Sequence, residues 1–177
     1  RGSDPNGAMY YFAKLIESKD IESLERRLIT TAYEDIGLAN PNACMRTVIA
    51  MQAAKTIGFP EARIPIASAI IDLCLSPKSK SSENAIDAAL TSLNERSLKT
   101  PSYLRLTPVG LEDDERYDYS RPELWEYIQY LPKELGNTQF YVPWMTSNYE
   151  KALAENYRRI LKHGRTSDIK KLNQQNK

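Results

Sequence analysis

From Ile64 to Leu75 the chain reads Ile-Pro-Ile-Ala-Ser-Ala-Ile-Ile-Asp-Leu-Cys-Leu, apolar on nearly every side of a helix. A helix without a polar face belongs among other helices rather than on a surface, so this run alone demands a bundle around it. Pro65 removes an amide donor and is expected in the first turns or at an early kink. Asp72 is the one carboxylate in the run. An unpaired charge there is costly, which predicts a basic partner or a place at the helix edge.

Helix start and stop signals recur around this run. Asp4-Pro5 suits an N-cap and a first-turn proline, and Ala8, Phe12, Leu15 and Ile16 then share a face, predicting a helix over about residues 5–17. Asp20 caps a second helix with a stripe of Ile21, Leu24, Leu28, Ala32 and Ile36, ended by Gly37. Asn40-Pro41 opens a third through Val48, Ile49 and Met51, which stops at Gly58-Phe59-Pro60. Pro77 ends the apolar fourth helix, and Ser81 or Ser82 caps a fifth carrying Ile86, Ala89, Leu90 and Leu93. The fold class is therefore all-α, a helical bundle.

From Lys99 to Trp144 the periodicity dissolves into prolines, glycines and aromatics. So much aromatic surface predicts an ordered, irregular arm, with Trp125, Tyr127, Tyr130, Phe140, Tyr141 and Trp144 packed on the bundle or on a neighbouring subunit. Pro122 to Leu131 is expected to hold a short helix. Ser147 with Glu150 has the form of a capping box, and Tyr149, Ala152, Leu153, Tyr157, Ile160 and Leu161 form the stripe of a final long helix before Gly164. The Lys-, Asn- and Gln-rich remainder reads as a frayed or extended tail. The expected organisation is one compact domain with a helical block over residues 1–98, an arm over 99–146, and a C-terminal helix with basic tail over 147–177.

Composition narrows the function. Lys and Arg number 24 against 23 Asp and Glu, so a nucleic-acid role needs a local patch. Cys44 and Cys74 are too few for a disulfide framework and read as buried thiols of a reducing cytoplasm. No segment has the roughly 20 apolar residues that cross a bilayer, and no signal peptide opens the chain. The single histidine, His163, ends the last helix and reads as a solvated residue complementing the helix dipole. It supplies neither a nucleophile's base nor, with two separated cysteines, a zinc site. Lys78-Ser79 lacks the glycine loop of a phosphate-binding strand-to-helix turn. Glu34 with Asp35 and the acids of Glu112 to Glu115 read as solvated charge or helix-end pairing. The fragment is expected to bind no cofactor or metal and to have no catalytic residues. Basic residues Arg158, Arg159, Lys162, Arg165, Lys170 and Lys171, with the Lys78-Ser79-Lys80 loop, can meet a phosphate backbone. The blander role is solvation of a terminal helix, with Glu155 pairing to Arg159.

Several segments, in order, resemble a known family. Arg1-Gly2-Ser3-Asp4-Pro5, Glu34-Asp35-Ile36-Gly37-Leu38-Ala39-Asn40-Pro41, Pro60-Glu61-Ala62-Arg63-Ile64-Pro65, Pro77-Lys78-Ser79, Tyr130 to Leu135 and Phe140-Tyr141-Val142-Pro143 are similar to the C-terminal region of the bacterial replication-associated recombination protein A (RarA, or MgsA) family. The resemblance runs from Arg1 to about Tyr149. The opening five residues have the form of a cloning scar, but the family has similar residues before its first helix, and the resemblance implies that they are native. Within Thr107 to Glu123 the chain departs from the family, carrying Glu112 to Asp118 and Arg121-Pro122 in place of a His- and Gly-containing stretch.

The resemblance implies a AAA+ ATPase related to clamp-loader subunits that acts at stalled forks in DNA replication, recombination and repair. Its ATP and Mg would bind in modules upstream of Arg1. This C-terminal part would form a clamp-loader-like collar and a homotetramer in the bacterial cytoplasm, at the nucleoid. Glu34, Asp35, Gly37, Pro41, Pro60, Glu61, Arg63, Pro77 and Lys78 are expected to be structural junction residues. Trp125, Tyr130, Phe140, Tyr141 and Trp144 are candidate oligomer contacts. Lys78, Lys80, Arg158, Arg159 and Lys162 are candidate DNA contacts. The alternative function is a monomeric helical module that binds single-stranded DNA or a replication partner.

Overall fold

The computed structural model describes residues 1–18 and 20–175. Among these, seven α-helices form the fold: α1 (Pro5–Ile16), α2 (Ile21–Thr31), α3 (Pro41–Ile57), α4 (Arg63–Leu75), α5 (Ser81–Glu95), α6 (Asn148–Leu161) and α7 (Ile169–Gln175). The described residues contain no strand, only an isolated bridge between Ile128 and Thr166, and the fold is all-α. None of the helices is long and apolar enough to cross a membrane.

The local signals act where the sequence places them. The Asp4 carboxylate accepts from the amides of Asn6 (2.9 Å) and Gly7 (3.0 Å), the Asp20 carboxylate from Ser23 (3.0 Å), and the Asn40 side chain from Ala43 (3.2 Å). Each satisfies an amide that the first helical turn leaves open. Gly58, at φ 78°, ends α3 in a conformation that disfavours any side chain. Pro65 is the third residue of α4, where its missing amide would have no helical partner, so it marks a helix start and no early kink is required. Helix α2 ends at Thr31, earlier than expected. A π turn over Ala32–Ile36 follows, and a 3₁₀ turn over Gly37–Ala39 leads to α3.

Contacts group the chain into two compact units, residues 1–87 with 141–154 and residues 88–140 with 155–177. The arm is shared, its residues up to 140 lying in the second unit and 141–146 in the first. In the first unit, Phe12, Met51, Ala54, Ala62 and Ile66 form one buried cluster, supported by Leu24, Leu28 and Ile70. A second cluster joins Ala32, Ile36, Ala43, Cys44 and Leu73. Helix α4 packs on α3 and α1 and buries Ile66, Ala69 and Leu73. Its other side is bare: Ile64 is 58% exposed, Ile71 42% and Leu75 66%. The expectation that α4 is surrounded by helices is therefore not met within the described residues, because α1, α2, α3 and the π turn cover only its inner side.

In the second unit the arm forms short 3₁₀ turns, at Ser102–Leu104, Asp113–Glu115, Pro122–Tyr127 and Lys133–Leu135. The first residues after α6 are not the frayed tail that their composition predicts. Ile169 and Leu172 of α7 are buried against Leu124 and Ile128, with Tyr103, Leu104 and Tyr117 around them. The Asn173 amide donates to the Asp114 carbonyl at 2.8 Å, and Lys170 pairs with Asp114 at 3.4 Å. Two apolar anchors two turns short of the chain end suffice to order a polar helix; residues 176 and 177 lie outside the described part. The cysteines also differ from expectation. Cys44 is buried, with its Sγ 3.1 Å from the Ala32 carbonyl, and burial raises its pKa, whereas Cys74 is only partly covered.

Leu172→Ala should destabilise the second unit by about 2–4 kcal/mol through the lost side chain and the cavity left behind. Urea denaturation followed by far-ultraviolet circular dichroism checks this; a change within about 0.5 kcal/mol would mean that α7 does not hold the cluster.

Candidate assembly surface and the junction behind it

Three of the motifs that lie far apart in sequence meet in the first unit. The Arg1 guanidinium donates to Glu34 (2.6 Å) and to Asp35 (2.9 Å), and Lys80 bonds Glu34 (3.1 Å) and Glu83 (2.5 Å) while lying 3.9 Å from Asp35. Asp35 is buried, so the adjacent acids are not both solvated surface charge. The π turn makes this possible by presenting both carboxylates to shared cations. Glu83 first, then Glu34, holds the Lys80 ammonium protonated above its usual range.

The chain beyond Pro77 locks onto the same turn. The Asp35 carbonyl accepts from the Ser79 amide at 3.0 Å, and the Asn40 carboxamide donates to the Ser76 hydroxyl at 3.0 Å. Gly37 has φ 43°, and a Cβ there would lie 3.1 Å from the Ser82 hydroxyl and 3.5 Å from the Ser79 carbonyl. Glycine is thus required twice, by conformation and by close approach. The Lys78 ammonium donates to the carbonyls of Leu73 (3.1 Å), Cys74 (3.0 Å) and Ser76 (2.5 Å), closing the C-terminal end of α4. Pro41 starts α3, and Arg63 donates back to the Pro60 carbonyl, with Glu61 exposed beside it.

Glu150 completes the junction, and its role was hidden in the sequence. Its side chain is fully buried. One oxygen accepts from the hydroxyls of Ser79 and Ser81, both at 2.7 Å, and from the Trp144 amide at 3.1 Å; the other accepts from the Thr146 amide at 3.3 Å. The capping box expected with Ser147 is half formed: the Ser147 hydroxyl accepts the Glu150 amide at 3.1 Å, but the carboxylate turns away to the 79–81 loop. Burial pushes the Glu150 carboxyl up, and the Ser81, Ser79, Trp144 and Thr146 donors outweigh it, leaving the pKa below the ordinary value.

Helix α4 also has a bare side. Ile64, Ser68, Ile71 and Leu75 recur at helical spacing and are all exposed. A groove of ≈ 450 Å³ between α3 and α4 runs past Ile49, Ala50, Ala53, Pro65 and Ser68. At the groove, Arg46 grips Asp72 through two hydrogen bonds, at 2.7 and 3.1 Å. This is the basic partner expected for Asp72.

The other sequence-selected residues are distributed over both units. Trp125 and Tyr130 lie in the second, joined by a bond from the Tyr130 hydroxyl to the Trp125 carbonyl at 3.1 Å. Phe140 is in the same unit, whereas Tyr141 and Trp144 belong to the first. Trp125 and Trp144 are the more exposed, at 42% and 45%. Arg159 makes a two-pronged pair with Glu126 at 2.8 and 3.1 Å, and Glu155 pairs with Arg158 at 3.1 Å. The expected Glu155–Arg159 pairing gives way because Glu126 offers both oxygens to one guanidinium. His163 is half-buried, 3.3 Å from Glu126 and edge-on to Tyr127, rather than solvated. Lys162 is exposed. Among the described residues, no group of three or more His, Cys, Asp or Glu could hold a metal.

A helical domain with no sheet among its described residues, whose scattered motifs converge on a buried polar junction and whose apolar helix α4 has one bare side, defines the class as an all-α helical bundle domain. The chain belongs to the family described as MgsA AAA+ ATPase C terminal, whose profile matches residues 2–161. It is similar to replication-associated recombination protein A of Bacillus subtilis (strain 168), at 46% identity over 169 residues, 92% of this chain and 40% of that protein. The protein of the same name in Escherichia coli K12 is 33% identical over 152 residues, covering 81% of this chain and 34% of the relative. ATPase WRNIP1 of Dictyostelium discoideum is 29% identical over 150 residues, 80% of this chain and 17% of the relative. The chain thus spans well under half the length of these relatives.

Glu150→Ala should cost about 3 kcal/mol, because four donors lose their acceptor in a buried place. Since folding lowers the carboxyl pKa, its stabilisation is complete above the ordinary value of 4.5 and fades as pH falls through the lower folded value. The stability gap between wild type and Glu150→Gln, measured by urea titration, should therefore shrink steadily below pH 4.5. A gap that is flat with pH would contradict this electrostatic assignment. Gly37→Ala should independently cost about 1–2 kcal/mol.

Proposed function

We propose that this chain is the non-catalytic assembly domain of a AAA+ ATPase, joining copies into a homotetramer so that ATPase modules elsewhere in the protein are held in fixed geometry. The observation that carries the reading is the bare side of α4, where Ile64, Ile71 and Leu75 stand in water on a helix with no polar face. Covering one such side chain fully is worth about 1.5–3 kcal/mol, and each copy offers three on one stripe, interrupted by Ser68. Asp72, the charge that would oppose burial, is already neutralised by Arg46. A second copy fits this face because an apolar stripe is complementary to itself across a twofold axis. Trp125, Tyr130, Phe140, Tyr141 and Trp144 are secondary contacts in this reading.

The names of the relatives support a parent protein that acts in replication-associated recombination. As part of the same proposal, ATP and Mg bind in its upstream modules and its home is the bacterial cytoplasm, at the nucleoid. The alternative of a monomeric module for single-stranded DNA draws less support. Lys78 spends its donors on helix carbonyls, Lys80 on Glu34 and Glu83, and Arg158 and Arg159 on Glu155 and Glu126.

Multi-angle light scattering on the 177-residue chain should give a tetramer. The double variant Ile71→Asp, Leu75→Asp should be monomeric with an unchanged circular dichroism spectrum, since each buried charge costs several kcal/mol per subunit. A wild-type chain that stays monomeric at about 50 µM, where even a micromolar interface is mostly formed, would overturn the reading. A variant that still assembles would move the interface off α4.

A further inference from the structure

The second unit holds a polar cavity of ≈ 350 Å³ that the assembly reading does not use. Its size lies within the range of small-ligand sites, about 300–1,000 Å³. Its lining includes Arg165, His163, Tyr157, Asn137 and Gln139 and contains no aspartate or glutamate; Glu126, outside the lining, lies 3.3 Å from His163 and is held by Arg159. The walls are fixed. The Gln129 side chain donates to the Gly136 carbonyl at 3.0 Å and accepts from the Leu131 amide at 3.0 Å, stapling the loop on one side. On the other side, Arg165 donates to the Ile128 carbonyl at 3.1 Å and lies over the Tyr130 ring, 5.3 Å from its centre. The neighbouring Thr166 is bonded through its backbone to Tyr127 (2.8 Å) and Gln129 (2.9 Å), which pins the arginine's position.

A preformed pocket with a guanidinium, an imidazole, an aromatic ring and two carboxamides, and no acid among its lining residues, has the chemistry of an anion joined to a planar polar ring. We propose that this cavity binds a nucleotide. Arg165 receives the phosphate, while His163 stays paired with Glu126; the Tyr157 ring meets the base; Asn137 and Gln139 bond the base edge. The inference stands apart from the assembly reading, since it uses neither α3 nor α4.

The test is titration of adenosine and thymidine 5′-monophosphates, the matching nucleosides and inorganic phosphate into the isotopically labelled 177-residue chain, followed by amide chemical shifts. The monophosphates should bind at least about tenfold more tightly than nucleosides or phosphate alone, with shifts centred on 129–139 and 157–165. Arg165→Ala should weaken them by about tenfold or more. Because Arg165 also supports Ile128, a plug provides the independent check. At Gly164 an added Cβ meets nothing within 4 Å, so a side chain can start there, and Gly164→Phe, with its fold checked by circular dichroism, should abolish binding. No saturable shift up to about 10 mM, equal affinity for phosphate alone, or binding untouched by Gly164→Phe would each overturn the proposal.

Discussion

A carboxylate with no exposure to solvent survives folding only if donors replace its water, and Glu150 has those donors from two separate stretches of chain. Ser79 lies in the loop between α4 and α5 and Ser81 begins α5, while Trp144 and Thr146 come from the segment before α6. The interaction therefore fixes more than its own helix. It sets the 79–81 loop, whose Ser79 amide is bonded to the Asp35 carbonyl and which is followed by Ser82, whose hydroxyl would lie 3.1 Å from a Cβ at Gly37. Through Gly37 the constraint reaches the π turn and the start of α3, and through Lys78 it reaches the end of α4. The position of the α3–α4 face thus rests on a polar network behind it as much as on the apolar clusters within it.

That network also explains why the motif residues are of these types. Short polar side chains recur at the turns because backbone groups must be satisfied where helices stop, and longer ones would not fit. Lys78 is a long chain used differently, its ammonium folded back over three carbonyls. Arg1 and Lys80 converge on Glu34 and Asp35, so neither acid carries an isolated charge.

What the sequence revealed divides along the range of the interactions. Asp4, Asp20 and Asn40 act within three residues of themselves, so their capping was legible, as were Pro5, Pro41 and Gly58. Glu150 was read as a local capping residue because Ser147 lies three positions earlier, but its carboxylate bonds partners about 70 residues away, which no spacing rule detects. Arg159 was likewise assigned the acid on its own helix, whereas Glu126, 33 residues distant, presents both oxygens. Helix α7 was missed for a related reason: two apolar residues in a polar stretch carry little periodicity, and only the cluster they complete reveals their value. The cavity at Arg165 has no sequence signature, since its lining is drawn from two segments with ordinary loop composition.

Helix α4 brings these strands together. Its pattern demanded cover on all sides, and among the described residues it packs chiefly on α3 and α1, with α2 and the π turn on the same inner side, while Ile64, Ile71 and Leu75 stay exposed. An apolar helix side left in water is a standing cost unless something covers it, and the local chemistry is consistent with cover by another protein surface. Asp72 is held by Arg46 with good two-point geometry, so the charge can leave water without losing its partner. Lys78 and Ser76 satisfy the carbonyls at the helix end, so the terminus is also prepared for a drier setting. Desolvating the Arg46–Asp72 pair still costs energy, but far less than burying Asp72 alone, and that difference is what makes covering this face physically feasible.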